Sequence, residues 1–252
     1  MKKIFLLLTL MLLFTACGKR GPLVPPEALV PAPIKDLSVE QKGDSFLVCW
    51  SGPGKQEWGG PLDSLAGFRV FRRIVLPPAE DCEECPTAYR TVKTVDPEYL
   101  QDVRRSGSRF CFFDGDLSDG TTYQYKAISF QKDGAVSHDS NKARGKKASP
   151  PAPPRLTAVS TPDGVTLQWK PVMVPPGGEL EGYAVYRKQA EEVMPLTPLA
   201  LIPADAARFA DPHMEYGMRY LYGVRSVVRI DGERVESDLS NEVEGRFSFT
   251  EE

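Results

Sequence analysis

Sulfur is the chemistry this sequence offers most openly. Five cysteines stand at Cys17, Cys49, Cys82, Cys85 and Cys111. A thiol can be acylated, oxidised to a disulfide, held by a metal as a thiolate, or used in thiol exchange. Cys82-Glu83-Glu84-Cys85 has the spacing used in both zinc and redox sites. A redox pair gains from a helix N-terminus, which lowers the thiol pKa. This pair instead follows the strand-like Arg72-Arg73-Ile74-Val75, and two intervening glutamates would raise that pKa. No second Cys-x-x-Cys completes a four-thiolate zinc site. Cys49 and Cys111 could do so only if the fold brought them beside the first pair. A structural loop disulfide is the expectation for Cys82 and Cys85, with thiol exchange as the alternative.

Other reactive groupings are sparse. The chain has two histidines, His138 and His213, in neither a metal spacing nor a Gly-x-Ser-x-Gly setting. There is no phosphate loop and no dinucleotide fingerprint. Asp114-Gly115-Asp116-Leu117-Ser118-Asp119-Gly120 superficially suggests a calcium loop, but it is one residue too long for the EF-hand order and lacks the closing glutamate. A turn whose aspartates satisfy backbone amides is the better reading. No catalytic residue, metal or cofactor is assigned, and the expectation is a non-enzyme. Carboxylates that converge only in three dimensions remain open.

Cys17 has a context of its own. Lys2 and Lys3 precede an apolar run from Ile4 to Phe14, broken only by Thr9, of 11 residues. A bilayer core needs about 20 residues, so the run reads as the core of a signal peptide. Small Thr15 and Ala16 stand immediately before Cys17. Leu13-Phe14-Thr15-Ala16-Cys17 resembles the bacterial lipobox, with Phe14 where leucine is usual. The resemblance implies cleavage before Cys17 and acylation of its sulfur. Two or three acyl chains, at about 0.8 kcal/mol per buried CH₂, hold firmly. The bland alternative is an ordinary secretory signal with a chance cysteine. Gly18, where an aspartate would imply inner-membrane retention, implies the outer membrane. Ala16-Cys17-Gly18-Lys19-Arg20-Gly21-Pro22-Leu23 also resembles a small lipoprotein family beginning Cys-Gly-x-Lys-Gly-Pro-Leu, with Arg20 where lysine is usual. One member of that family assists maturation of the lipopolysaccharide translocon.

The formal net charge of the 252 residues is −3, and it becomes more negative once Lys2 and Lys3 are removed with the signal. This argues against nucleic-acid binding. Twenty-three prolines and 21 glycines, spread along the chain, suit short strands and turns. Pro22, Pro25, Pro26, Pro31 and Pro33 mark a tether over 17–33, with a reach of roughly 50 Å at about 3.1 Å per residue. Residues 149–154, Ser-Pro-Pro-Ala-Pro-Pro, read as a linker. The expected organisation is a signal peptide at 1–16, the tether at 17–33, one domain at 34–148, the linker, and a second domain at 155–248.

The two domains are copies. Leu37 and Trp50 match Leu156 and Trp169 at an offset of 119; Gly67-Phe68-Arg69-Val70-Phe71-Arg72 matches Gly182-Tyr183-Ala184-Val185-Tyr186-Arg187 at 115; Phe112, Asp114, Gly120, Tyr123 and Tyr125 match Phe209, Asp211, Gly217, Tyr220 and Tyr222 at 97. Ser140-Asn141 matches Ser240-Asn241. Order is kept while the offset changes in loops, as a duplication requires. Within each copy, apolar residues alternate with period two: Phe46, Val48 and Trp50; Val165, Leu167 and Trp169; Tyr220, Tyr222 and Val224. Asp133-Gly134 and Asp231-Gly232 suggest hairpin turns.

At these residues the chain resembles tandem fibronectin type III domains. Trp50 and Trp169 match the family's core tryptophan, Gly67 and Gly182 open its third-strand motif, and Leu117, Gly120, Thr121 and Tyr123 match its tyrosine corner. The second copy keeps Gly217 and Tyr220 of that corner but has Arg219 where a small residue is usual. The resemblance implies an all-β chain of two immunoglobulin-like sandwiches. It also implies that the second and fifth strands are neighbours, and hence a cross-strand disulfide between Cys49 and Cys111. Both would point outward, since Trp50 and Phe112 point in. Trp58 lies in the loop after the second strand, at the end shared with Asp133-Gly134, where binding members of the family often make contact. It is a candidate ligand residue, or else a cover for the sandwich end. The expected role is a lipid-anchored, non-catalytic binding protein of the outer membrane, recognising an envelope protein or a polysaccharide. An accessory role in outer-membrane or translocon assembly, or thiol redox work at Cys82 and Cys85, are the alternatives.

Overall fold

The computed structural model describes Pro25 and residues 29–161, 164–215 and 217–246, and among these there is no helix. The chain is all-β, a tandem of fibronectin type III-like sandwiches. In the first half, β1 (Ser38–Lys42), β2 (Ser45–Ser51), β6 (Arg109–Asp114) and β5 (Val103–Ser106) lie side by side in that order. Facing them is a sheet of β4 (Arg90–Val95), β3 (Leu65–Ile74), β7 (Thr122–Gln131) and β8 (Ala143–Lys146). In the second half, β9 (Leu156–Thr161), β10 (Gly164–Trp169) and β13 (Arg208–Asp211) form one sheet. The other contains β11 (Gly178–Gln189), β12 (Ala200–Pro203), β14 (Arg219–Ile230), β15 (Glu233–Glu236) and β16 (Val243–Arg246).

The alternating rows fill two separate cores. Phe46, Val48 and Trp50 meet Phe68, Val70, Phe110 and Phe112 in one; Val165, Leu167 and Trp169 meet Tyr183, Val185, Tyr222 and Val224 in the other. Trp50 stacks on Phe110 at 5.9 Å, and Phe68 stands edge-on to it at 5.6 Å. Such ring pairs contribute about 0.5–1.5 kcal/mol beyond the area they bury. Gly182 sits at φ +153°, with the Ile202 carbonyl 2.1 Å from where a Cβ would stand. Its invariance between the copies thus has a steric cause at the bulge that starts β11.

The duplicated polar residues are clamps. Asn141 accepts the Leu37 amide and donates to the Leu37 carbonyl, and Asn241 does the same for Leu156. Each asparagine thus ties the start of its half's first strand to the end of the domain. The Tyr123 hydroxyl accepts the Ser118 amide at 2.9 Å and that of Tyr220 the Glu215 amide at 3.4 Å, so both corners form despite Arg219. Asp231 (φ 51°) and Gly232 (φ 85°) make the two-residue turn between β14 and β15, the conformation a type I′ hairpin demands.

The junction between the halves departs from the expectation of two modules on a Pro-rich linker. β1 pairs in parallel with β15, Gln41 opposite Val235 and Lys42 opposite Glu236, so strands from both halves form one nine-stranded sheet. At the seam the Lys42 ammonium lies 2.9 Å from the Glu236 carboxylate and donates to the Tyr186 hydroxyl, which donates to the same carboxylate at 2.8 Å. Lys42 and Glu236 side chains are 4% and 2% exposed. The linker is itself packed: Pro151 and Pro154 are buried, Gln41 exchanges two hydrogen bonds with Ala148, and Ala152 accepts from Ser226. The tether also ends earlier than expected, because Val30 and Pro31 already pair with the loop carrying Gln56 and Glu57.

Burial opposes ionisation of Glu236, but the Lys42 charge, the hydrogen bonds from Lys42 and Tyr186, and Arg234 outweigh it and hold its pKa below the ordinary carboxylate value. A depressed carboxylate stabilises fully above its unfolded pKa of about 4.3, and that contribution is lost as pH falls through the folded value. Lys42→Ala would leave Glu236 buried with Arg234 as its remaining cation, a loss of about 3 kcal/mol. Scanning calorimetry should show one transition for the unaltered chain at pH 7, and two for Lys42→Ala or for the unaltered chain at a pH acid enough to protonate Glu236. A single transition in every case would mean that the pair does not couple the halves.

Candidate functional site

Three places gather the residues singled out by type and spacing. The first is the loop between β3 and β4. Cys82 and Cys85 form a disulfide there, both exposed. The loop folds back over the outer face of β3 and β7. Arg73, whose side chain is buried, donates to Asp81 through both terminal nitrogens, at 2.5 and 3.0 Å, and reaches Glu83 at 3.5 Å. Gln124, fully buried, donates to Glu83 and to Tyr89, and Lys142 also pairs with Glu83. The bond to Lys142, with further help from Gln124 and Arg73, keeps the Glu83 carboxyl below its usual pKa despite some burial. Glu83 therefore serves as a counter-ion to the sheet's cations. The disulfide holds the short turn that delivers it. A hollow of about 610 Å³ opens beside the bridge, lined in part by Arg72, Leu76, Arg90 and Tyr123.

The second place is the end of the first sandwich around Trp58. The indole is 47% exposed, and its N–H donates to Gln56 at 2.6 Å. One face lies on Gly60, where an added Cβ would come within 2.0 Å of a ring carbon. The loop carrying His138, which follows the Asp133-Gly134 turn, reaches this end, with His138 3.5 Å from Glu57. Gln131 donates to the Leu29 carbonyl. Leu29, Trp58 and Val136 are all substantially exposed. The expected meeting of these two loops thus occurs, and the segment entering the fold joins them. Cys17 lies outside the described residues.

The third place is the Cys49–Cys111 bridge. The two residues stand directly opposite on β2 and β6, on the outer face, as the strand order implies. They are nevertheless buried, because Leu196, from the connection between β11 and β12, rests on Leu47 and the disulfide. Arg104 fastens the same contact by donating to the Met194 carbonyl at 2.6 Å. No local pattern in the sequence announced this cover.

Asp114 corrects the turn reading, whereas its copy Asp211 keeps part of it by accepting the His213 amide at 3.0 Å. Both are buried carboxylates that take side-chain donors from distant strands. Arg72 donates to both oxygens of Asp114 at 2.7 Å and Tyr125 donates at 2.9 Å. Arg187 and Tyr222 serve Asp211 at 2.7 and 2.8 Å. Burial first, then the adjacent carboxylate, raises both tyrosine pKa values, so each phenol stays a neutral donor. Asp116 takes Arg72 and Arg90, and Asp119 takes Lys147. Both oxygens of Asp114 and one oxygen each of Asp116 and Asp119 are thus committed to cations of the chain. Sequence reasoning missed these pairs because the partners lie 42 and 24 residues away.

No family model matches the sequence. Among solved structures, the chicken CNTN1 FN1–FN3 domains are similar at 14% identity and a TM-score of 0.37; the match covers 86% of this chain and spans 65% of the length of that one. The fold assignment rests on the strand order and the two tyrosine corners described above.

The three tryptophans separate cleanly by exposure, Trp50 at 0%, Trp169 at 6% and Trp58 at 47%. Acrylamide should therefore quench one component of the native fluorescence efficiently, and Trp58→Phe should abolish that component while leaving thermal stability within about 0.5 kcal/mol. An accessible component that persists in Trp58→Phe would contradict this placement.

Proposed function

We propose that this chain is a lipid-anchored, non-catalytic binding protein of the bacterial outer membrane, in which two locked sandwiches present a contact surface to an envelope protein or polysaccharide. The observation that carries it is the seam through Lys42, Glu236 and Tyr186. A buried joint between repeated modules fixes the spacing of their loop ends, which serves recognition and has no evident use in a flexible spacer. The exposed Trp58 end supplies an aromatic anchor of the kind that dominates binding energy. Pairing of all four cysteines beyond Cys17 agrees with an oxidising compartment. The sequence around Cys17 supports the anchor.

Two other readings have a specific basis. The exposed Cys82–Cys85 bridge beside its hollow favours thiol exchange; insulin reduction at a rate no greater than free dithiol would remove it. The eight residues around Cys17 favour an accessory role in translocon assembly. The decisive experiment combines fractionation with capture. Cys17→Ser should move the chain from the membrane to the soluble fraction. Cross-linking in intact envelopes should then recover a discrete partner with the unaltered chain, and at least fivefold less, about 1 kcal/mol, with Trp58→Ala. A translocon component as that partner would select the accessory role. Retention of Cys17→Ser in the membrane would end the anchored reading.

A further inference from the structure

A second concave feature lies where the halves meet, away from both Trp58 and the Cys82–Cys85 loop. Pro195, Leu196 and Thr197 stand against the outer face of β2 and β6 and leave a groove of about 390 Å³, within the range that holds small ligands. Its floor is apolar: Leu47, the Cys49–Cys111 bridge and Leu196. Its wall is Arg104 and Arg109, from the β5–β6 hairpin, with Arg105 at its border.

These three arginines are under-used. A guanidinium carries five N–H donors. Here each is held by one bond to a neutral oxygen: Arg104 to the Met194 carbonyl, Arg105 to the Gly107 carbonyl at 2.8 Å, and Arg109 to the Ser38 hydroxyl at 3.4 Å. Phe113 and Phe110 lie under Arg104 and Arg105, at 5.9 and 5.2 Å, and orient their planes. By contrast, Arg72, Arg73, Arg90 and Arg187 each hold a carboxylate. The acids near the groove are Glu40, which lines it, and Asp36, whose carboxylate is occupied by the Ser51 amide and feels Arg109 only through space. Arg104, opposite Cys111, and Arg109, two residues before it, thus turn cations to an open groove in a chain of net charge −3, while Arg105 lies over Phe110 on the other face.

We propose that this groove binds a phosphate monoester borne on a compact sugar or apolar body. A monoester carries about −1.5 to −2 charge at pH 7 and three acceptor oxygens. Guanidinium forks match those oxygens two at a time. The apolar floor takes the body of the ligand, and Ser106 and Thr197 border the groove with further hydroxyls. The inference is independent of Cys17 acylation and of Trp58.

Calorimetric titration of the detergent-solubilised full chain tests it, with glucose 1-phosphate and glucose as one pair of probes. The second pair is phosphatidylcholine–detergent mixed micelles with and without phosphatidic acid. Binding of glucose 1-phosphate but not glucose supports a soluble phosphate ester; micelle binding that requires phosphatidic acid supports a lipid headgroup. In either case Arg109→Gln should weaken binding about tenfold. That variant leaves the Arg104–Met194 fastening intact, and Glu40→Gln should tighten binding a few-fold, which a merely structural effect would not do. Failure of both phosphate probes to bind, equal binding of glucose, or unchanged affinity in Arg109→Gln would overturn the proposal.

Discussion

The buried ion pair between Lys42 and Glu236 is the constraint on which the arrangement of this protein depends. Taking two charges out of water costs several kcal/mol per ion, which the pair recovers only with good geometry and further hydrogen bonds. Here the carboxylate also accepts from Tyr186, and Arg234 reaches its second oxygen at 3.0 Å. The parallel ladder beside it is short, two residue pairs long, and would not hold two sandwiches alone. Ladder, ion pair and Leu196 contact act together, so the halves share one sheet while keeping separate cores. An exposed pair such as Lys146–Asp231, at the same junction, adds little to this.

The duplication was not used symmetrically. Both halves keep the asparagine clamp, the tyrosine corner and the buried Asp–Arg–Tyr cluster, because each solves a problem internal to one sandwich. What differs is what turned outward. Tyr186 at the seam corresponds to Phe71, which is half-buried in the first half beside Lys126. One hydroxyl on that ring position is what lets the second half satisfy a buried carboxylate. The cysteines show the same asymmetry: both bridges belong to the first half, one under the other half's loop and one holding a counter-ion loop.

How much of this was legible follows from the range of each interaction. Alternation over five residues identified Val165, Leu167 and Trp169 as core, since burial on one face of a strand is a local rule. Strand adjacency, implied by the fold resemblance, carried the Cys49–Cys111 pairing. The burial of that bridge was beyond reach, because Leu196 arrives from 85 residues away and nothing in Leu-Thr-Pro-Leu marks a docking loop. Lys42 was equally silent: in β1 it continues the polar side of Ser38 and Glu40, and reads as a solvated edge. The arginines left a usable trace. Arg104-Arg105-Ser106-Gly107-Ser108-Arg109 holds three cations and no acid, in a chain where acids outnumber bases. Spacing alone did not show that Arg104 and Arg109 share a wall with the other half.

Seam and groove are also one equilibrium. Pro195 and Leu196 wall the groove only while the halves are docked, so a ligand held there binds the docked state and not the separated one. By linkage it must then favour docking, by an amount set by its concentration over its Kd. Conversely, protonation of Glu236 weakens the seam and must lower affinity in the groove, even though Glu236 does not line it. The Trp58 end, by contrast, is built from the first sandwich and the segment entering it. Contact there needs no docking, and should be indifferent to the state of the seam. The Trp58 end is thus intrinsic to one module, whereas the groove exists only where two are joined.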